Sequence, residues 1–222
     1  MKHLKIIGLA AIAAMALMAF ASSASADVLC KTAPNKAGEC ETAVGDYASG
    51  TVFTSESTNS KLTVEGGLVS SITCEKSNVS LKNTSTGSNT SGTAVTGEVT
   101  LVKWTNCKSN SGTSCTVSES SGYTGTVKAT NDTGAGTVTV NGSKTTLVDC
   151  TAFGLNFKCT YKPTAAGLDL TLTGGNPASI VATEQPLTLE AGGFGCGTGA
   201  KWDATYNLTG TNQALWVATK NA

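Results

Sequence analysis

Residues 99–119 read VTLVKWTNCKSNSGTSCTVSE. Two runs of alternating apolar and polar side chains flank a Lys/Asn/Ser/Gly/Thr loop, with Cys107 and Cys115 at its shoulders. Alternation with period two sends successive side chains to opposite faces of a strand, so the stretch reads as a β-hairpin with a cysteine on each side of its neck. Cysteines recur at similar spacing at Cys30/Cys40 and Cys150/Cys159.

Outward from this hairpin the chain continues as short strands and turns. Gly66-Gly67 joins an alternating run at 61–65 to another at 68–74, where Leu68, Ile72 and Cys74 share the buried face. Asn141-Gly142 between the runs 137–140 and 143–150 is the strongest local hairpin signal, because both central residues of a type I′ turn need positive φ. The runs 201–208 and 214–219 read as a terminal hairpin carrying Trp202, Tyr206 and Trp216. After the first residues no segment repeats apolar side chains at helical spacing. Short strands in a Thr/Ser/Gly-rich chain predict an all-β fold, an antiparallel β-sandwich of jelly-roll or Ig-like type. A single domain over 27–222 is the simplest count, with 27–50 an opening segment closed by Cys30 and Cys40. An echo of Thr100-Leu101-Val102 and Cys107 in Thr146-Leu147-Val148 and Cys150 leaves two subdomains as the alternative.

The start of the chain predicts the compartment. Lys2, His3 and Lys5 precede the uncharged run IIGLAAIAAMALMAFA at 6–21, and Ala24-Ser25-Ala26 supplies small residues before Asp27. That order is the pattern of a secretory signal peptide over 1–26. The apolar run has 16 residues, short of the about 20 that span a bilayer. A secreted, extracellular product that does not span the membrane is expected.

Without residues 1–26 the chain has 13 lysines against 15 carboxylates, no Arg, no His and no Met. Lacking His, it has no Ser-His-Asp triad or Cys-His pair. Lacking Arg, it has no bidentate clamp for phosphate, and a slightly negative chain is a poor partner for nucleic acid. No metal site and no cofactor are expected. All eight cysteines, Cys30, Cys40, Cys74, Cys107, Cys115, Cys150, Cys159 and Cys196, lie after residue 26. In an exported chain an even count reads as disulfides. Spacing favours Cys30–Cys40, Cys107–Cys115 and Cys150–Cys159, which leaves Cys74–Cys196 to tie the halves together.

Glu98, Asp149, Asp169 and Asp203 are the carboxylates on or beside strands, and a glycosidase needs two of them flanking the bond it cuts. Trp202 and Tyr206, four apart on one strand, share a face and could stack on a sugar ring, with Asp203 beside them on the other face. Trp104 and Trp216 read as core, as does Trp202, for which sugar stacking is the alternative.

Leu29-Cys30, Cys40 and Tyr47-Ala48-Ser49-Gly50-Thr51, followed by Ile72-Thr73-Cys74, Trp104-Thr105-Asn106-Cys107 and Trp202-Asp203-Ala204-Thr205-Tyr206, resemble small secreted all-β proteins of soil actinobacteria. The resemblance covers nearly the whole exported chain and implies an exported disulfide protein without supplying an activity. The expected function is therefore a non-enzymatic extracellular structural or binding protein, its partner a polysaccharide or a cell-envelope component. Carbohydrate binding, or hydrolysis by two carboxylates, is the alternative. A third reading is an inhibitor with the Cys107–Cys115 loop as its contact.

Overall fold

The computed structural model describes residues 27–35, 39–40, 47–87, 93–119, 123–130, 133–141, 146–152 and 154–221. The expected signal peptide at 1–26 lies outside them. Among the described residues no helix is long and apolar enough to cross a membrane.

In chain order the strands are β1 (Val28–Cys30), β2 (Glu39–Cys40), β3 (Val52–Ser57), β4 (Ser60–Glu65), β5 (Ser71–Asn83), β6 (Val95–Ser109), β7 (Ser114–Glu119) and β8 (Tyr123–Ala129). They continue as β9 (Gly136–Asn141), β10 (Thr146–Ala152), β11 (Leu155–Pro163), β12 (Leu168–Thr173), β13 (Ser179–Gly192), β14 (Gly199–Thr209), β15 (Trp216–Ala218) and β16 (Lys220–Asn221).

Twelve of these, β3 to β14, form one antiparallel sheet. Their registers show four end-to-end pairs. β3 and β4 lie on the same edge of β5, and β7 and β8 on the same edge of β6. β9 and β10 run along β8 and β7, and β12 and β11 both run along β13. The twelve strands are thus eight long staves, each antiparallel to the next in sequence. The last, β14, pairs back onto β3 and β4 and closes the ring.

The all-β, antiparallel, disulfide-linked expectation stands. Two face-to-face sheets of jelly-roll or Ig-like type are not what the pairing gives, because hydrogen bonding runs round a closed circuit. Alternation along a strand fixes which face is buried, and both a sandwich and a barrel satisfy it. The hairpin expected at Asn141-Gly142 is also absent: β9 and β10 continue one stave and pair with β8 and β7, not with each other. Gly142 itself lies outside the described residues. Likewise β15 pairs with β1 instead of folding back on β14. The β6–β7 hairpin forms as expected, with Cys107 opposite Cys115.

The disulfides are Cys30–Cys40, Cys74–Cys107, Cys115–Cys150 and Cys159–Cys196. Only the first matches the pairing that spacing favoured. The others are corrected by the ladder. Cys74, Cys107, Cys115 and Cys150 stand directly opposite one another on successive staves, all buried. The Cα–Cα distances of 3.9 Å for Cys74–Cys107 and 4.4 Å for Cys115–Cys150 mark narrow, non-hydrogen-bonded pairs. A residue that is non-hydrogen-bonded towards one neighbour is hydrogen-bonded, and wider, towards the other. Cys107 and Cys115 therefore face each other across the wide kind of pair, and each bonds outward instead.

The three bridges other than Cys30–Cys40 gather at one end of the barrel, where Cys196 lies in the loop between β13 and β14. The β1–β15 pair covers the other. Asp27 donates its backbone N–H to Thr93 and accepts that of Ala129 on its carboxylate at 2.9 Å. Val217 donates to Gly134, and Leu29, Leu215 and Val217 join the main core. Gly134 (φ +89) lets Trp216 lie against the backbone: a Cβ there would meet the Trp216 ring at 2.3 Å. Inside the ring, Val, Leu, Ile, Phe and Tyr side chains from all eight staves form one continuous core.

Candidate functional site

The staves are interrupted at a common height. β3 gives way to β4, β7 to β8, β9 to β10 and β11 to β12 at matching registers, and β13 carries an irregularity between Ala182 and Gln185. At this waist the inward side chains do not fill the barrel. They enclose a cavity of about 100 Å³, bounded by Val102, Val117, Val140, Leu168, Ile180 and Leu187 among other apolar side chains. Eight-stranded barrels have an interior just wide enough for side chains to fill or for one small ligand.

Trp202 and Tyr206 line this cavity, as does Trp104. The shared face expected of Trp202 and Tyr206 is present, with ring centroids 5.9 Å apart. That face is the interior: Tyr206 is 3% exposed, and the rings are tilted 58° apart. The flat, exposed stacking surface that a sugar ring would need is therefore not formed by this pair. Both side chains point inward because the closed ring leaves each strand one covered face, and alternation puts Trp202 and Tyr206 together on it. Asp203 points to the other face, as alternation requires, and accepts the Glu184 backbone N–H at 2.8 Å.

The other carboxylates also stand on the outer wall. Asp149 pairs with Lys158 at 3.1 Å, Asp169 accepts from the Thr139 hydroxyl at 2.7 Å, and Glu98 is solvent-exposed. The partners of Asp149, Asp169 and Asp203 lie on the neighbouring strand in each case, so each of these three is held by its own cross-strand contact.

Sequence reasoning missed a buried serine group on β3, β4 and β5. Ser55, Ser57, Ser60 and Ser77 are each at most 3% exposed. The signal was present in VFTSES, where the serines fall on the strand positions that alternation assigns to the inside. Ser77 and the Tyr206 hydroxyl share a 2.7 Å hydrogen bond, and Ser55 donates to the Val79 carbonyl at 3.3 Å. Ser60 Oγ and Trp202 Nε1 are buried with no hydrogen-bond partner, and both residues line the cavity. A buried polar atom left unpaired costs about 1–3 kcal/mol. The waist is thus an apolar chamber with two unused polar contacts. Lys61, the one charged residue at its boundary, is exposed and lies between the inward Ser60 and Leu62.

Comparison with known proteins gives no match: no protein-family model, no curated protein and no solved structure is significantly similar to the chain.

Proposed function

We propose that the chain works outside the cell as a non-enzymatic binding protein, its partner a component of the cell envelope or an extracellular polysaccharide. The observation that carries this reading is the stapled, edge-free barrel. Every stave is paired on both sides, and four disulfides cross-link the fold. Disulfides persist in oxidising compartments outside the cytosol, and a sheet without edges resists pairing with foreign strands. The outer face of β9 and β12 is polar, with Thr137, Thr139 and Asn141 on β9 and Asp169, Thr171 and Thr173 on β12, where a lipid-facing barrel carries an apolar band. Binding is favoured over hydrolysis because Asp149, Asp169 and Asp203 are each tied up by a separate cross-strand partner.

Expression of the full chain followed by mass measurement of the culture medium and the envelope fraction tests the reading. The expected product spans 27–222, is eight hydrogens lighter than the reduced chain, is retained on envelope or polysaccharide and releases no reducing sugar. A cytosolic product with free thiols, or release of reducing ends, would overturn it.

A further inference from the structure

We propose that the waist cavity is a binding site for a small uncharged molecule with an apolar body and one hydrogen-bond acceptor, such as a short ketone, ether or alcohol. The inference rests on the binding reading above and gives it an internal site. Three observations meet at one place. The chamber is walled by aliphatic side chains from staves all round the barrel. Trp202 Nε1, which can only donate, is buried and unpartnered. Ser60, 2% exposed, holds a hydroxyl that is also without a partner.

The register makes the two polar atoms parts of one site. Trp202 on β14 is opposite Leu62 on β4, and Ser60 is two residues from Leu62 on the same inward face. Such diagonal neighbours on adjacent antiparallel strands lie about 7–8 Å apart. An acceptor oxygen placed between them can take the indole N–H and meet the serine hydroxyl, while the rest of the molecule contacts Val, Leu and Ile. Charge is disfavoured because, among the described residues, the charged one at the boundary, Lys61, is exposed and alternates outward between Ser60 and Leu62, so the apolar interior has nothing to balance a charge. Size follows from volume: a dry engineered cavity of about 150 Å³ takes benzene. The 100 Å³ here suits roughly four to six non-hydrogen atoms by the same measure.

The test uses the oxidised protein and 2-butanone as probe, with isopentane as the same-sized molecule lacking an acceptor and propionate as the charged one. Indole N–H resonances of Trp104, Trp202 and Trp216 are followed by NMR, with W202F identifying the Trp202 signal. The expected result is a saturable shift of the Trp202 signal with 2-butanone, weaker binding of isopentane, and none of propionate. S60A weakens the ketone about tenfold, the equivalent of one hydrogen bond. V138L, which fills the chamber from its wall, abolishes binding while the protein stays folded. Lack of a saturable Trp202 shift, equal affinity for isopentane, or an ordered water on Trp202 that the ketone does not displace would each overturn the proposal. Envelope or polysaccharide binding measured on the same sample separates the two readings. If it persists while the ketone fails, only the cavity site falls.

Discussion

The side-chain oxygen of Gln185 accepts the backbone N–H of Asp169 at 2.8 Å. At this point β13 changes neighbours: its first half pairs with β12 and its second half with β11. The change is made by a bulge in which Glu184 adopts φ 45° and gives its N–H to Asp203. Gln185 supplies with its side chain the acceptor that the departing backbone no longer offers β12.

Replacing Gln185 by Ala should therefore act locally. The Asp169 amide is at the surface and can turn to water, so the loss should be within about 0.5–1.5 kcal/mol. Hydrogen exchange at Asp169 should speed up at least several-fold with little change in Tm. Q185E, which keeps an acceptor, should restore protection.

Tyr161 gives the fold an alkaline limit. Its ring is buried and its hydroxyl donates to the Cys196 carbonyl at 2.6 Å. Burial pushes the phenol up from 10.0 to about 12. The group is neutral in both states below pH 10, so its contribution is complete there. Between pH 10 and about 12 only the unfolded chain loses the proton, and stability falls. Denaturation midpoints should drop across that window in the wild type and drop less in Y161F. Absorbance at 295 nm should show a late tyrosine titration that is smaller in Y161F.

The disulfide pattern can be read by peptide mapping without reduction, which should recover Cys74 with Cys107 and Cys115 with Cys150. Sequence separations of 33 and 35 residues correspond to roughly 3.5–4 kcal/mol each in the chain-entropy model. Removing either bridge by paired Ser substitution should lower stability by about that much. Substituting Cys107 and Cys115 together should break two bridges and cost more than either pair.

Two inward serines should respond in opposite senses. S77A removes the hydrogen bond to Tyr206 and should cost about 1 kcal/mol. S60A replaces an unpaired hydroxyl by a methyl-sized side chain and should leave the midpoint unchanged or raise it. Parallel denaturant titrations check both; equal losses would remove the distinction drawn between them.

The inside and outside of most strands were legible in the chain itself. Leu168, Leu170 and Leu172 alternate with Asp169, Thr171 and Thr173, and the structure buries the first set and exposes the second. The common face of Trp202 and Tyr206 was equally legible. The direction of that face was not, because alternation separates two faces without saying which one a distant strand will cover. Asn141-Gly142 misled for a related reason: a turn signal states what the backbone can do, and β9 and β10 found their partners in β8 and β7, not in each other.

By itself, then, the order of residues determined strand periodicity, the positions of eight cysteines and the absence of Arg and His after residue 26. Those features follow from local geometry and side-chain chemistry. Tertiary structure decided that β14 meets β3 and β4, that Cys107 bonds to Cys74, and that Ser60 and Trp202 face one chamber. Each of these depends on the register between strands far apart in the chain, which closure of the ring imposes on all eight staves together.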